Sequence, residues 1–329
     1  MRLSALVGNQ QLIGLLRRNP LPPAAIFAGP EGVGKRSAAL GLAALANCRQ
    51  PVSNDLCGSC VSCIKAEAGT HPDIVLYVPD NNHIKIEAMR ELSHEAHYRP
   101  FEGQSRVFVI DQAEKMTEEA ANSLLKTLEE PPPTSHLLLI TAFPQRLLPT
   151  IRSRCQSFRF RSLSRKEIND YLQSTGGMAD SELRAAFARG SIGRALSLDI
   201  EDLVKSRDIM LDLLTAWHDS KSFEAIFKRT DASPLKTDLK DRNRTRNYLE
   251  LLHSLAEDVY FLVVGTPDRL ISIDRRQALE KLSRQLTLDQ IRNLLYHIEQ
   301  SYRDVEQYVS PLMSFETLWL RAEQGMQDG

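Results

Sequence analysis

The sequence predicts an α/β fold, a mostly parallel β-sheet with helices on both faces, followed by an all-helical C-terminal region. Apolar runs alternate with stretches of helical pattern in the first half, which is typical of a parallel sheet with crossover helices. From about residue 202 onward no strand pattern remains, and apolar residues recur at the helical spacing that is typical of packed bundles. The predicted strands lie at 24–28, 74–78, 107–110 and 137–141.

Each element follows from its local pattern. The first apolar run enters a glycine-rich loop, and residues 37–47 are rich in Ala and Leu, which predicts a strand, a loop and a helix in that order. Helical patterns at about 86–97 and 117–130 separate the later strands. The second of these helices is expected to end before Pro131, because proline cannot continue a helix.

Composition indicates an ordinary globular protein. The chain has 329 residues, of which 42% are hydrophobic and 25% charged, so two or three domains are expected. The net charge of -1 gives no overall attraction to nucleic acid, and a DNA contact would need a local basic patch. The N-terminal residues lack a secretory apolar segment and no run of about 18 apolar residues occurs. We therefore expect a cytoplasmic protein with no membrane partner.

The glycine-rich loop reads Gly-Pro-Glu-Gly-Val-Gly-Lys-Arg-Ser and matches a phosphate-binding P-loop except at one position. Arg36 stands where a P-loop carries the Ser or Thr hydroxyl that binds Mg²⁺. Backbone amides and one lysine ammonium could still hold a phosphate. ATP or ADP is therefore expected to bind weakly or not at all. The predicted nucleotide-binding residues of the loop are Gly29, Gly32, Gly34, Lys35, Arg36 and Ser37.

A second part of the predicted nucleotide site follows the third strand. Asp111 ends this strand, at the place where a P-loop NTPase holds Mg²⁺ through a carboxylate; alternatively it only ends the strand and caps a helix. The next residue is Gln112, whose amide cannot take a proton from an attacking water, and this argues against hydrolysis. Glu114 is expected to point elsewhere.

Cysteine spacing predicts a metal site. Four of the five cysteines lie within sixteen residues, at Cys48, Cys57, Cys60 and Cys63. In a cytosolic protein such a cluster indicates zinc rather than disulfides, and four thiolates with no open position indicate a structural Zn²⁺ site. The alternative is reduced cysteines that cap a loop. His71 is read as a structural residue that opens the next strand, and Cys155 as a small buried hydrophobic residue.

Two further motifs carry a family resemblance. Residues 124–132 read Leu-Leu-Lys-Thr-Leu-Glu-Glu-Pro-Pro, residues 151–155 read Ile-Arg-Ser-Arg-Cys, and the cysteine insertion directly follows the P-loop helix. Together these motifs resemble the AAA+ subunits of the bacterial DNA polymerase III sliding-clamp loader, from about residue 5 to 200. Because its ATPase motifs are degraded, the chain resembles the delta-prime type more than the gamma/tau motor.

The resemblance implies three domains and one functional arginine. In this family the arginine of Ser-Arg-Cys, Arg154 here, projects into the ATP site of the neighbouring subunit as an arginine finger. Alternatively, Arg154 belongs to a basic surface with Arg152, Arg159, Arg161 and Arg165. The implied domains are an AAA+ P-loop domain at 1–162 with a zinc module at about 48–63, a helical lid at 163–203 and a C-terminal helical collar at 204–329.

The implied function is that of a non-motor subunit that supports ATP-driven loading of the ring clamp and is itself not catalytic. Its implied partners are gamma/tau-type ATPase subunits, a delta-type subunit, the sliding clamp and primed DNA. The motor's two sensor positions align with Ala142, next to Thr141, and with Gly193, next to Arg194.

Two alternatives belong to the enzyme class. A working gamma/tau-type ATPase is disfavoured by Arg36 and Gln112, and the chain is too short for the C-terminal extension expected of tau. A stand-alone P-loop phosphotransferase with a zinc lid would need neither the Ser-Arg-Cys motif nor the helical C-terminal third.

Overall fold

The computed structural model describes residues 2–220, 223–231, 235–307 and 309–327. Contacts between residues divide the chain into two compact units, Met1–Ser197 and Leu198–Gly329. The first contains the sheet and the second is built from helices, so each is described by itself.

The first unit is organised around a five-stranded parallel sheet with the strand order β2-β3-β4-β1-β5. The predicted α/β class is confirmed, and four strands lie on the predicted apolar runs. The fifth strand was missed, because its sequence Gln-Ser-Phe-Arg has only one buried side chain, Phe158. The strands are β1 Ala24–Ala28, β2 Ile74–Tyr77, β3 Arg106–Ile110, β4 Ser135–Thr141 and β5 Gln156–Arg159.

Helices cover both faces of this sheet. Because side chains alternate along a strand, Val107 and Val109 pack toward the helix at Lys35–Ala46, whereas Phe108 and Ile110 pack toward the helices at Ile86–Glu95 and Glu118–Glu129. The α-helices of this unit are α1 Gln10–Arg18, α2 Lys35–Ala46, α3 Val61–Glu67, α4 Ile86–Glu95, α5 Glu118–Glu129, α6 Pro149–Arg152, α7 Arg165–Ser174, α8 Ser181–Phe187 and α9 Ile192–Ser197.

The sheet brings three chain segments to one edge. Ala28 at the end of β1 pairs with Thr141 at the end of β4, and Ile110 at the end of β3 pairs with Leu139. The P-loop, Asp111 and the end of β4 therefore meet at the carboxyl edge of the sheet, where parallel sheets bind ligands.

The small helices α7 to α9 belong to the first unit. Ser164 begins α7 with a capping box that Glu167 completes, and Ile168 and Leu172 pack into the same core as one face of the sheet. The predicted lid ends at residue 203, whereas the contacts divide the chain after Ser197. Residue 203 lies inside a continuous helix, Ile200–Ser220, which acts as one hydrogen-bonded element.

The second unit has only helices among its described residues. Two tryptophans, Trp217 and Trp319, lie buried 5.9 Å apart between ring centroids, and the buried Arg207 bonds to Asp274 at 2.7 Å. None of the helices in the described ranges has the length and apolarity needed to span a membrane. The α-helices are α10 Ile200–Ser220, α11 Phe223–Asp231, α12 Leu235–Asp238, α13 Arg242–Val263, α14 Arg276–Ser283, α15 Leu288–Glu306 and α16 Pro311–Gln327.

Candidate functional site

A cleft of about 520 Å³ lies at the carboxyl edge of the sheet, within the range of small-molecule sites. Its polar lining includes the P-loop backbone, Lys35 and the carboxylates of Glu31, Asp111 and Glu114. Apolar residues line it as well, and this combination suits a ligand with a phosphate and an aromatic base. The apolar lining residues are Ala5, Leu6, Val7, Val33, Ile140, Ala142, Tyr171, Ile192 and Leu196.

The P-loop glycines serve two different purposes. Gly32 and Gly34 line the cleft with positive φ values of 70° and 91°, which glycine adopts without strain. Gly29, in contrast, does not line the cleft. A Cβ atom at Gly29 would lie 2.2 Å from the carbonyl oxygen of Phe160, so this glycine permits close packing of the chain after β5.

Lys35 lies at the start of α2 with its side chain turned onto the loop itself. Its Nζ donates to the carbonyl oxygen of Gly29 and to that of Pro30 at 2.5 Å. Burial lowers the pKa of Lys35, and nearby carboxylates, with Glu114 the most influential, oppose this shift. The ammonium is thus within the cleft but bound to the loop's own carbonyl groups.

Arg36 forms an ion pair with Asp111 across the cleft. Arg36 Nη1 lies 3.5 Å from Asp111 Oδ2, with the side chains 52% and 13% exposed. The other Asp111 oxygen accepts the backbone N–H of Gln112 at 3.0 Å. Mg²⁺ needs oxygen ligands in an octahedral shell, and here the expected hydroxyl is replaced by a cation that also pairs with the expected carboxylate. These residues do not fit Mg²⁺, and the pairing of the two side chains was not predicted from the sequence.

The expectation that Glu114 points elsewhere is wrong. Glu114 lines the cleft, and its Oε1 accepts the backbone N–H of Ala142 at 3.2 Å. Gln112 has a positive φ of 52° and leads into a 3₁₀ turn at Ala113–Lys115, which directs the Glu114 side chain back to the end of β4. The second carboxylate oxygen, Oε2, is buried without a hydrogen-bond partner among the described residues.

The start of α9 packs directly on the P-loop. The Gly193 N–H donates to the carbonyl oxygen of Gly32 at 3.2 Å, and a Cβ atom at Gly32 would lie 1.9 Å from Ser191 Oγ. Of the two residues aligned with the second sensor, Gly193 lines the cleft and Arg194 does not. The arginine of this pair, Arg194, is therefore outside the lining of the cleft.

The four clustered cysteines converge at one point, with their Sγ atoms all within 4.8 Å of one another. Cys63 Sγ lies 3.6 Å from Cys48 Sγ and 3.8 Å from Cys57 Sγ. Tetrahedral zinc with Zn–S bonds of about 2.3 Å requires S–S separations of about 3.8 Å. The donor set and its spacing thus fit Zn²⁺.

Backbone amides support the sulfur atoms. The N–H of Cys60 donates to Cys57 Sγ at 3.4 Å, and that of Cys63 to Cys60 Sγ at 3.5 Å. Backbone N–H groups of Ser59 and Cys60 lower the pKa of the Cys57 thiol to about 6, whereas burial raises the pKa of Cys63 to about 12. A bound dication would supply the charge that four adjacent thiolates need.

The two remaining residues considered in the sequence, His71 and Cys155, are packed within the fold. His71 is buried, with Nε2 3.0 Å from Ser62 Oγ and Nδ1 accepting the Asp73 N–H at 3.1 Å, and it is not one of the residues of the cysteine cluster. Cys155 is half-buried against the sheet core, and burial raises its pKa to about 11. Neither residue is placed as a metal ligand or as an activated nucleophile.

Arg154 lies on the surface just after α6, outside the lining of the cleft. Its Nη2 lies 2.5 Å from Glu129 Oε1, and Nη1 donates to the carbonyl oxygen of Thr150 at 3.0 Å and to Ser153 Oγ at 3.3 Å. The side chain is 34% exposed. The guanidinium is therefore fixed in one place by neighbours, yet open to solvent, and the ion pair with Glu129 was not predicted.

The chain is similar to subunits of bacterial DNA polymerase III. A family model described as "DNA polymerase III, delta subunit" matches residues 8–164. The delta-prime subunit of Bacillus subtilis is 30% identical over 95% of this chain and 94% of its own length. The delta-prime subunit of Pseudomonas aeruginosa is 42% identical over 39% of each chain.

A similarity to tau/gamma subunits covers less. The tau/gamma subunit of Haemophilus influenzae is 36% identical over 58% of this chain and only 29% of its own length. The shared part lies within the longer relative, whereas the Bacillus subtilis delta-prime subunit matches this chain almost from end to end.

Proposed function

This chain belongs to the delta-prime family of DNA polymerase III subunits, and we propose that it is a non-motor subunit of the sliding-clamp loader. It acts in the cytoplasm, where it assembles with gamma/tau-type ATPase subunits and a delta-type subunit. The assembly opens a ring clamp with energy from ATP and places it on primed DNA. Similarity to a delta-prime subunit over 95% of the chain supports this assignment.

The ion pair between Arg36 and Asp111 is the observation that carries the non-motor assignment. It places a guanidinium beside the carboxylate that a P-loop ATPase uses for its metal. Gln112 adds an amide where a base is needed. Any nucleotide in this cleft binds weakly, through the amides of Gly32 and Gly34 and through Lys35, and is not hydrolysed.

Arg154 instead serves a neighbouring subunit. Its guanidinium is absent from the lining of its own cleft and open to solvent at the surface. A planar guanidinium can make two hydrogen bonds to a phosphoryl group and stabilise the charge that develops during transfer. In this position it completes an ATP site that belongs to another chain.

The cysteine cluster holds Zn²⁺ as a structural cross-link. The ligands are Cys48, Cys57, Cys60 and Cys63, which come from the segment after α2 and from the turn that begins α3. With all four positions filled by thiolates, the metal has no open site for substrate. Its contribution is to fix this small module against the sheet domain.

The decisive experiment replaces Arg154 with Ala in the reconstituted clamp loader. The variant subunit should fold and assemble, because one half-exposed ion pair contributes little stability. ATP hydrolysis stimulated by clamp and primed DNA should fall, by as much as the about 10³- to 10⁵-fold typical of an arginine finger at the site it serves. The loss should lie in kcat rather than in KM for ATP.

The matched controls are Arg152→Ala and Arg159→Ala, which remove the same charge from exposed positions nearby. Equal losses in all three variants would indicate a diffuse basic surface. A normal rate with Arg154→Ala would exclude the proposed finger, and ATP hydrolysis by the isolated chain would favour the gamma/tau alternative.

A further inference from the structure

The contacts of Arg154 are unequal in kind. Thr150 in the preceding helix α6 and Ser153 in the turn after it offer neutral oxygen atoms, at 3.0 and 3.3 Å. Glu129 offers a carboxylate from a different helix, at 2.5 Å. Only this last contact depends on charge, so it is the one that competes with another anion for the guanidinium.

Glu129 occupies an unfavourable place unless a cation accompanies it. It is the last residue of α5, and a negative charge at the C-terminal end of a helix is disfavoured by the helix dipole. The Arg154 guanidinium compensates for this. The carboxylate is 50% exposed, so water can replace the guanidinium when the pair opens.

We propose that Glu129 is a positioning residue, whose carboxylate binds the Arg154 guanidinium until a phosphate group in the neighbouring subunit replaces it. This inference rests on the proposed role of Arg154 in trans. A carboxylate and a phosphate bind the same guanidinium edge, so the two compete. While Glu129 is bound, the arginine is neutralised; when the nucleotide of the neighbour arrives in position, the guanidinium exchanges one anion for the other.

The two neutral contacts limit how far the guanidinium moves during this exchange. Thr150 and Ser153 lie on the same surface segment as Arg154, and their hydrogen bonds can hold the side chain after its ion pair with Glu129 has broken. Glu129 therefore sets the free energy needed to free the Arg154 guanidinium, whereas the other two contacts set where that guanidinium lies. The expected consequence is a lower rate of ATP hydrolysis by the assembly in the absence of clamp and DNA.

The test compares ATP hydrolysis by clamp loaders that carry Glu129→Gln or the control Glu130→Gln, which changes an exposed neighbouring carboxylate. Glutamine keeps a hydrogen-bonding oxygen but removes the competing charge. We expect Glu129→Gln to raise kcat without clamp and DNA about two- to fivefold, the scale of an exposed ion pair. The KM for ATP and the subunit composition should stay unchanged, and Glu130→Gln should behave as the original chain.

A double variant separates this inference from the function on which it rests. With Arg154→Ala, the additional change Glu129→Gln should have no effect, because Glu129 acts through the arginine. An unstimulated rate that stays the same or falls in Glu129→Gln would overturn the role of Glu129 and leave the finger standing. A rise that persists in the double variant would also overturn it, and a normal rate with Arg154→Ala alone would instead remove the finger itself.

Discussion

Two arginines, Arg36 and Arg154, each pair with one carboxylate, and their surroundings give the pairs opposite consequences. Arg36 meets Asp111, which is 13% exposed at the end of a buried strand. Arg154 meets Glu129, which is 50% exposed at the end of a helix. The first pair lies in the lining of the chain's own cleft, whereas the second lies outside that lining. The Arg36 side chain is the more exposed of the two arginines, at 52% against 34%, so position relative to the cleft, rather than exposure or residue type, separates the two proposed roles.

The largest expected effect is a difference in ATPase rate between variants of the two sites in the assembled clamp loader. Lys35→Ala, which alters the cleft of this chain, should change the stimulated ATPase rate far less than Arg154→Ala does. On the proposed function the reason is that Arg36 pairs with the carboxylate expected to hold Mg²⁺ and Gln112 stands where a base is expected, so this lysine has no turnover to support. Steady-state hydrolysis by both variant assemblies measures the difference.

The isolated chain provides the control for this comparison, since it should hydrolyse no ATP above the blank rate. Circular dichroism must show that Lys35→Ala is folded, because the buried ammonium bonds to two loop carbonyl groups. If Lys35→Ala abolished the activity of the assembly as fully as Arg154→Ala, the cleft would be a working site and the contrast would fail.

The next largest effect is a loss of stability at the cysteine cluster, which should influence neither Arg36 nor Arg154. Cys60→Ser should release zinc and reduce the stability of the first unit by about 3 kcal/mol, or roughly 6–12 °C in Tm, because a lost metal ligand is among the most damaging substitutions. Elemental analysis should find one zinc per chain before the change. Thermal melting then gives the shift in Tm.

In the folded fraction, Cys60→Ser should still support the stimulated ATPase of the assembly. Protein purified without chelators and found to hold no metal would contradict the zinc site. A fully folded variant that no longer supported the stimulated ATPase would show that the module contributes to catalysis, and its assignment as a purely structural site would be wrong.

The smallest effect on stability is expected from Arg36→Thr, which restores the hydroxyl of a P-loop. The pair with Asp111 contributes less than about 1 kcal/mol, because Arg36 is half-exposed. Nucleotide binding should become stronger with Mg²⁺ than with EDTA, a difference that the original chain should not show. Titration with a fluorescent ADP analogue measures both.

Hydrolysis should remain absent in Arg36→Thr, because Gln112 is unchanged, and adding Gln112→Glu should recover little activity. Binding by the original chain that already strengthens with Mg²⁺ would contradict the interpretation of the Arg36–Asp111 pair.

The sequence by itself determined the fold class, four of the five strands and the convergence of the four cysteines. These features follow from local patterns, because buried parallel strands need uninterrupted apolar runs and zinc ligands lie close together along the chain. Strand β5 has no such pattern, because three of its four residues are exposed and only its pairing with β1 makes it a strand.

Tertiary structure alone decided which charges meet. Arg36 and Asp111 lie 75 positions apart and Arg154 and Glu129 lie 25 apart, so no local spacing predicts either pair. The return of Glu114 to the end of β4 likewise depends on the backbone turn at Gln112 and on the order of strands in the sheet. Residue types suggest what a site can do, but the sheet's topology fixes which side chains share it, because long-range contacts are set by packing and not by sequence distance.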